Sequence, residues 1–335
     1  MENDTHSAPR PLAFDPAARD LGVLVGFDGS QQSIQALHYG AMEAQRSGRR
    51  LTIVSAYSVP APVATTIGAV PDKFEAQHSV VAAKALLDEA RSYLQDYPGE
   101  VIYRTERGDP AGVLVDLSTV AELAVVGARG RGGFVGRLLG SVSSALPAHA
   151  RCPTVVVARQ YKITDAADPT RFEPVPDERP VIVGIDRSPH SRIAALQAAE
   201  QALNRGTVLH LLMALPTLEG WLDWYPGLDT PDQRIIDQRR LQLEESLAEE
   251  VAWLGRHYPS LTITAAVKPG DPVAQLSRST HEAQLTVVGT RGRSGFTGVL
   301  LGSVSRGVLL RAAGPVMIVP ELQDERLSDQ PDLIR

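Results

Sequence analysis

The sequence contains very little lysine and a single cysteine. Only four lysines stand beside 29 arginines, so a site for an anionic ligand has to be built from arginine side chains or backbone amides. The single cysteine, Cys152, excludes an internal disulfide and a thiolate metal cluster, and it is typical of a reducing compartment. We therefore do not expect cysteine chemistry to be central to the function.

Long apolar runs are absent as well. No stretch reaches the roughly 18 consecutive apolar residues of a membrane span, and the first 20 residues lack the basic start and apolar core of a signal peptide. We therefore expect a cytoplasmic protein with no membrane partner. The net charge of −6 disfavours nucleic acid as a partner. A chain of 335 residues that is 43% hydrophobic and 21% charged is typical of a folded protein of two domains.

The second half of the chain repeats the first. Residues 285–305 match residues 123–143 at 16 of 21 positions, and VIVGIDRS at 181–188 corresponds to VLVGFDGS at 23–30. A repeat this long indicates two duplicated domains rather than the units of a solenoid. We predict an N-terminal mobile tail at 1–20, domains at 21–158 and 181–320, a proline-rich and charged linker at 159–180, and a C-terminal mobile tail at 321–335.

Each half alternates short β-branched runs with longer stretches of helical periodicity, which is the pattern of parallel βαβ units. The predicted strands of the first half are 23–28, 51–57, 101–106, 123–127 and 154–158, and its helices are 31–47, 75–97, 111–120 and 141–150. The predicted strands of the second half are 181–186, 208–214, 261–267, 285–289 and 316–320. The fold class is therefore α/β, with two tandem doubly wound domains, each with a five-stranded parallel sheet. The apolar last strand of each half is either buried on both faces or an edge strand that a partner covers.

Ligands of open parallel sheets bind beyond the carboxyl ends of the strands, and there both halves carry a glycine-rich loop. Gly127 and Gly130 are followed, after nine further residues, by Gly140 and Ser141, and the second half repeats this spacing. Glycines let backbone amides approach an anion, and a helix that begins at Ser141 offers unpaired amides to a phosphate. A flexible loop with a capping serine is the alternative, but two copies in register favour binding. Nearby positive charge comes from Arg129, Arg131, Arg291 and Arg293.

Asp28 and Asp186 each end the first strand of their half. Such a carboxylate could accept hydrogen bonds from a ribose hydroxyl or a base, or it could cap the helix that follows. The sequence has no GxxxxGK[ST], complete GxGxxG, HExxH or GxSxG motif. We therefore do not expect a P-loop NTPase, a Rossmann cofactor enzyme, a metal centre or a triad hydrolase.

The strand that ends in Asp-Gly-Ser, the Gly-x2-Gly-x9-Gly-Ser loop and RCPTVVV at 151–157 together resemble the universal stress protein family. The resemblance covers about 20–158 and 180–320, so the chain is similar to a tandem universal stress protein. It implies a Rossmann-like fold of the adenine nucleotide alpha hydrolase type in each half, with strand order 3-2-1-4-5. It also implies pairing through the last strand, so we expect a homodimer through 154–158 or 316–320.

The resemblance further implies an ATP site in each half, with or without Mg²⁺. The residues it assigns to the adenosine are Asp28 and Asp186, with Ala56 and Ala214 near the adenine. The residues it assigns to the phosphates are Gly127, Gly130, Gly140, Ser141 and Val142 in the first half and Gly289, Gly292, Gly302, Ser303 and Val304 in the second, beside Arg129 and Arg291. The second site departs from the family at Arg187, where a small residue is usual. This long cation could clamp a phosphate or obstruct the nucleotide.

The function that the resemblance implies is that of an ATP-dependent regulator of stress adaptation and growth control, which associates with itself or with an unidentified regulatory protein. Any ATP hydrolysis should be slow, because neither loop offers an obvious general base or a lysine. Two alternatives are a nucleotidyl or phosphoryl transferase on the same sheet and an interaction module that has lost its ligand. The absence of an SGGxDS or HIGH-type motif counts against the first, and the intact glycine spacing counts against the second.

Overall fold

The computed structural model describes residues 11–58, 72–131, 139–163, 168, 170–173, 176–215, 233–292 and 301–331. The elements of the first half are β1 (Val23–Gly26), α1 (Gln31–Ser47), β2 (Leu51–Tyr57), α2 (Asp72–Tyr93), β3 (Val101–Arg107), α3 (Pro110–Leu117), β4 (Leu123–Gly127), α4 (Ser141–His149) and β5 (Thr154–Val157). Those of the second half are β6 (Val181–Gly184), α5 (Pro189–Arg205), β7 (Leu209–Leu215), α6 (Gln233–His257), β8 (Ile263–Pro269), α7 (Pro272–Ser279), β9 (Leu285–Gly289), α8 (Ser303–Arg311) and β10 (Val316–Val319). The predicted α/β class is confirmed.

The strands form one ten-stranded sheet in the order β3-β2-β1-β4-β5-β10-β9-β6-β7-β8. Neighbouring strands are parallel within each half. Each half therefore has the expected order 3-2-1-4-5, and in each half the order reverses between the first strand and the fourth. Strands β1 and β4 lie side by side, as do β6 and β9.

The two last strands, β5 and β10, pair with each other in the antiparallel direction, with Val155 opposite Met317 and Val156 opposite Val316. Every residue of both strands is buried. The two apolar edges that the sequence left unexplained therefore cover each other within one chain. This corrects the expected homodimer through the last strands, because the pairing edges of both strands are already occupied within the chain.

The first helix of each half has the same start and end. Ser30 caps α1 by accepting a hydrogen bond from the backbone N–H of Ser33 at 3.1 Å, and Gly48 ends the helix in the left-handed conformation with φ of 65°. Ser188 and Gly206 do the same for α5, where φ of the glycine is 62°. A serine cap and a glycine stop explain why both helices have 17 residues and begin directly after the loop of the first strand.

Helices cover both faces of the sheet, because alternate residues of each buried strand point to opposite sides. Val23 and Val25 of β1 belong to the core cluster of one face, which also contains residues of α1, α2, α5 and α6. Leu24 belongs to the cluster of the other face, which contains residues of α3, α4, α7 and α8. None of the helices in the described ranges is both long and apolar enough to cross a membrane.

The described parts of both chain ends are packed against the domains. Leu12 forms a parallel bridge with Leu322, and its N–H donates to the carbonyl of Glu321 at 2.7 Å. Arg19 is buried and donates to two backbone carbonyls of the first half at 2.7 and 2.8 Å. The predicted tails therefore have contacts with the domains at both described ends, while 1–10 and 332–335 lie outside the described residues.

The segment predicted as a linker, 159–180, contributes a core residue. Phe172 is 1% exposed and lies among the rings of His38, Tyr93 and Tyr97, with centroid distances of 5.4 to 6.0 Å. The described part of this segment therefore docks on α1 and α2. The sequence did not predict this contact, because the segment is rich in proline and charged residues and a single aromatic residue gives no apolar periodicity.

Candidate functional site

A cavity of about 440 Å³ opens at the carboxyl ends of β1 and β4. The strand order places these two ends side by side, where the reversal of the order leaves a crevice. All eight residues predicted for the first site line this cavity: Asp28, Ala56, Gly127, Arg129, Gly130, Gly140, Ser141 and Val142. The structure thus brings together residues that are more than 100 positions apart in the sequence.

Much of the cavity wall is apolar and was not predicted. The additional apolar lining residues are Phe27, Val54, Pro110, Leu114, Val126 and Leu139. Val54 could have been found from the sequence, because it is two residues before Ala56 on the same strand and so faces the same side. Leu114 and Pro110 belong to α3, and only the three-dimensional packing brings that helix to the crevice.

Asp28 holds the glycine-rich loop in place. Its Oδ1 accepts the N–H of Ser30 at 3.0 Å, and its Oδ2 accepts the N–H of Arg131 at 2.8 Å. A Cβ atom on Gly130 would lie 2.3 Å from that Oδ2, so only glycine permits this approach. The capping role considered for Asp28 belongs to Ser30, and the carboxylate instead forms a turn and braces the loop.

The same contacts set the charge of Asp28. Burial alone would raise the pKa of this carboxyl, but hydrogen bonds from Ser30 and from the backbone of Arg131 outweigh burial and hold the pKa below its ordinary value. Asp28 is therefore a carboxylate at neutral pH. It is also a weak base, because it holds its proton less tightly than a free aspartate.

A serine that sequence reasoning overlooked closes the loop. Ser143 accepts the N–H of Gly140 at 2.9 Å and donates its hydroxyl to the carbonyl of Ala128 at 2.7 Å. Ser305 donates its hydroxyl instead to the carbonyl of Gly289 at 2.6 Å, and the carbonyl of Thr290, which corresponds to Ala128, is 3.4 Å away. The signal was present, because the tetrapeptide Gly-Ser-Val-Ser occurs in both halves and only its first three residues were assigned.

The helices that follow the two glycine loops have uncapped N-termini. Side chains of Ser30, Asp109, Ser188 and Asp271 accept the first amides of α1, α3, α5 and α7. Gly140 and Gly302 precede α4 and α8 and provide no such side chain. The first amides of α4 therefore keep their hydrogen-bonding capacity at the cavity wall, where the helix dipole favours an anion.

Arginines supply positive charge at this wall. Arg129 lines the cavity, its buried Nε has no hydrogen-bond partner, and its guanidinium forms no ion pair with the described residues. Arg131 also lines the cavity and lies 4.0 Å from Glu89, with both side chains 57% exposed. An exposed pair at that distance contributes little, so both guanidinium groups are available to a ligand.

The second half repeats this backbone arrangement. Asp186 accepts the N–H of Ser188 at 3.0 Å, and a Cβ atom on Gly292 would lie 2.5 Å from its Oδ2. The N–H of Gly302 donates to the carbonyl of Thr290 at 2.7 Å, which closes the loop. The remaining predicted residues have corresponding places at the strand ends, in the loop or at the start of α8: Ala214, Gly289, Arg291, Ser303 and Val304.

The side chain of Arg187 contacts the helix layer of the second half. It has a positive φ of 65°, where the first half has Gly29 with φ of 73°. Its guanidinium donates to Ser246 at 3.1 Å and lies 3.7 Å from Glu250, both on α6. These contacts direct the side chain to the helix layer. They give no support to a phosphate clamp or to an obstruction of the nucleotide.

Comparison with known proteins identifies the family. The universal stress protein family model matches residues 22–158 and 178–320. The chain belongs to the universal stress protein family. Universal stress protein Rv2623 of Mycobacterium tuberculosis is 34% identical over 306 residues, which cover 90% of this chain and 97% of the relative. A universal stress protein of Mycolicibacterium smegmatis is 34% identical over 311 residues, covering 90% and 98%. The predicted tandem universal stress protein is therefore confirmed.

A solved structure of the family has the same fold. A universal stress protein from Archaeoglobus fulgidus superposes with a TM-score of 0.63 at 18% identity, covering 90% of this chain and 99% of that one. Another universal stress protein, solved in complex with cAMP, covers 41% of this chain at 30% identity and a TM-score of 0.32. The first of these similarities concerns the fold alone, and the second records a cyclic nucleotide bound to a member of the family.

The described residues do not form a metal centre of their own, since no group of three or more His, Cys, Asp or Glu side chains among them could hold an ion. At the first cavity the oxygens of Asp28 already accept backbone N–H groups. A Mg²⁺ ion that accompanied a nucleotide would therefore take its ligands from phosphates and water rather than from these side chains.

Proposed function

We propose that each half of this universal stress protein binds ATP, and that ATP occupancy regulates its association with itself or with another protein in stress adaptation and growth control. The observation that carries the proposal is the cavity at β1 and β4, which gathers all eight residues assigned to the first site. Its volume of about 440 Å³ lies within the range of small-molecule sites, roughly 300–1,000 Å³.

The cavity has two chemically different parts that suit a nucleotide. Val54, Leu114 and Val126 form an apolar wall against which a flat base would pack. Gly140 and the start of α4 present amides, and Arg129 presents a guanidinium, to the anionic part. A ligand with an aromatic ring and a phosphate chain satisfies both parts at once.

Binding rather than rapid hydrolysis is the role that this lining supports. No lysine lines the described cavity, and the carboxylate of Asp28 is a weak base. A phosphoryl transfer step would lack both a group to deprotonate the attacking hydroxyl and a lysine to stabilise the developing charge. We expect slow turnover at most, in a cytoplasmic protein whose downstream partner is a regulatory one.

Isothermal titration calorimetry of the full-length chain with ATP, AMP and cAMP tests this function. We expect two ATP per chain in the unmodified protein. Ala56→Phe places a ring in the first cavity and should remove one ATP, and the matched Ala214→Phe should remove the other. Melting curves check that both variants fold. An absence of ATP binding at millimolar ATP, or ATP binding that is unchanged in the double variant, would refute the proposal.

A further inference from the structure

The corresponding arginines of the two glycine loops have different surroundings. In the first half Arg129 lines the cavity and has no ion-pair partner among the described residues. In the second half the guanidinium of Arg291 lies 3.8 Å from the carboxylate of Glu321. The second half therefore places an acidic group at the arginine that corresponds to the cation of the first cavity.

Glu321 is fixed in this place by the backbone around it. It follows β10 by two residues, and its carbonyl accepts the N–H of Leu12 at 2.7 Å. The next residue, Leu322, is 2% exposed and anchors the segment in the core. A carboxylate on a segment that is held from both sides loses little entropy when it pairs with Arg291.

Arg291 is the charged partner of Glu321 at neutral pH. His190 also approaches, with its Nε2 3.3 Å from the Glu321 carboxylate, but the two groups are not aligned for a hydrogen bond. Burial lowers the pKa of His190, more than the neighbouring Glu321 raises it, so its imidazole is uncharged at neutral pH. The negative charge of Glu321 therefore acts on Arg291.

The corresponding positions of the first half carry no acid. Gln32 is the second residue of α1, as His190 is the second residue of α5. Arg159 is the second residue after β5, as Glu321 is the second residue after β10. At this repeat position the charge is positive in the first half and negative in the second.

We propose that the two sites differ in the charge of the ligand they accept: the first half takes a nucleoside polyphosphate, and Glu321 makes the second half favour a nucleotide with fewer phosphates. The proposal rests on the proposed function, since it requires that both loops bind nucleotides. Each added phosphate gains attraction from Arg129 in the first site. In the second site the same phosphate has to compete with Glu321 for the guanidinium of Arg291 and is repelled by its carboxylate.

The effect should be modest and specific for charge. A partly exposed ion pair contributes about 0.2–1 kcal/mol, which corresponds to a change in affinity of about 1.4- to fivefold. Glu321→Gln keeps the size of the side chain and removes the charge. We therefore expect this substitution to raise the affinity of the second site for ATP by about two- to fivefold, with a smaller change for AMP.

The experiment uses the full-length chain with Ala56→Phe, so that only the second site binds. Calorimetric titrations with ATP and with AMP are compared before and after Glu321→Gln. Glu325→Gln is the matched control, because Glu325 is an exposed acid of the same C-terminal segment and forms no ion pair with Arg291. Melting curves of each variant show that it is folded.

A rise in the ratio of ATP to AMP affinity with Glu321→Gln, and none with Glu325→Gln, would support the proposal. The proposal is overturned if Glu321→Gln leaves the ratio unchanged or if Glu325→Gln changes it equally. Binding of neither nucleotide to either site, in the unmodified chain and in the variants, would instead refute the proposed function itself.

Discussion

The two halves of this chain have the same backbone at the candidate sites and different charges around it. Gly130 and Gly292 lie against Asp28 and Asp186, which follow the first strand of each half, and both loops lead into an uncapped helix. Around this common arrangement, Gly29 corresponds to Arg187, Ile34 to Arg192 and Arg159 to Glu321. Each of these three changes puts a new charge in the second half or reverses one.

This difference separates the residues that the fold requires from those that can vary after duplication. A glycine whose Cβ would meet a carboxylate at 2.3 or 2.5 Å cannot change without moving that carboxylate. Charged residues beside the loop have no such restriction, provided that each new charge finds a partner. Arg192 and Arg187 each form an ion pair with Glu250, and Glu321 forms an ion pair with Arg291. Each of these new charges is therefore paired, whereas Arg129 of the first half has no ion-pair partner among the described residues.

The largest expected effect on stability comes from removing the buried ion pair between Glu250 and Arg192. Glu250 and Arg192 are 1% and 3% exposed and approach to 2.7 Å, and Glu250→Ala would leave Arg192 without its carboxylate. We expect a loss of about 3–5 kcal/mol in the free energy of unfolding, measured by urea denaturation. Glu249→Ala, at a residue that is 49% exposed, is the control and should cost less than about 1 kcal/mol.

The same pair allows the comparison with the first half to be tested directly. Ile34 occupies the position of Arg192 and packs against the core. Arg192→Ile combined with Glu250→Leu should therefore recover most of the stability lost in Glu250→Ala, because no charge remains buried without a partner. A double variant that is as unstable as Glu250→Ala would show that the second half needs the ion pair itself.

The next largest effect is a pH dependence of stability that arises from His38, whose counterpart in the second half is Leu196. Burial lowers the pKa of His38 to about 4, with Arg171 and Arg46 adding to the shift. The unfolded chain takes up this proton near pH 6.5 and the folded chain only near pH 4, so stability is lost as the pH falls between these values. The loss can reach about 3 kcal/mol.

Urea denaturation at pH 7 and at pH 4.5 measures this loss. His38→Leu introduces the leucine that the second half has at the corresponding position, and it should make the stability less dependent on pH in this range. His281→Leu, at an exposed histidine, is the control and should leave the pH dependence as it is. An equal dependence on pH in His38→Leu and the unmodified chain would contradict the assignment to His38.

A third effect distinguishes two glycines of the first loop. Gly130→Ala would put a methyl group 2.3 Å from Asp28, so it should displace the carboxylate and weaken ATP binding about tenfold. Gly140→Ala meets nothing closer than 3.4 Å and should weaken binding less. Calorimetric titration in the Ala214→Phe background isolates the first site. Equal losses in the two variants would argue against the bracing role of Asp28.

The smallest effect is expected for Arg187→Gly, which gives the second half the glycine of the first. It relieves about 1–2 kcal/mol of strain at a positive φ but removes the contacts with Ser246 and Glu250. Stability should therefore change by less than about 1 kcal/mol, and the affinity of the second site should stay the same. A clear loss of ATP affinity would indicate a phosphate clamp, and a clear gain would indicate an obstruction.

Repetition made much of the fold predictable from the sequence. The strands predicted for both halves and the helices predicted for the first half lie close to their observed bounds, because each buried strand is a short apolar run and each helix is longer and periodic. Glycine spacing and strand ends also pointed to eight residues that line one cavity. The apolar side of the cavity wall was mostly missed, since residues such as Leu114 have the sequence pattern of ordinary core residues.

The contacts between distant segments could not be predicted. The antiparallel pairing of β5 with β10, the bridge between Leu12 and Leu322, and the burial of Phe172 each join parts of the chain that share no local pattern. The orientation of Arg187 was unpredictable for the same reason, because its partners Ser246 and Glu250 are about 60 residues away. The contacts of a long side chain depend on residues that only the tertiary fold brings near it.

Equilibrium dialysis of ATP against the full-length chain, carried out in parallel on Ala56→Phe and Ala214→Phe, tests most directly whether the first cavity is the stronger nucleotide site. We expect two ATP per unmodified chain at saturation, with the tighter of the two lost in Ala56→Phe and the weaker lost in Ala214→Phe. Loss of the tighter ATP in Ala214→Phe, or no bound ATP in the unmodified chain, would contradict this assignment.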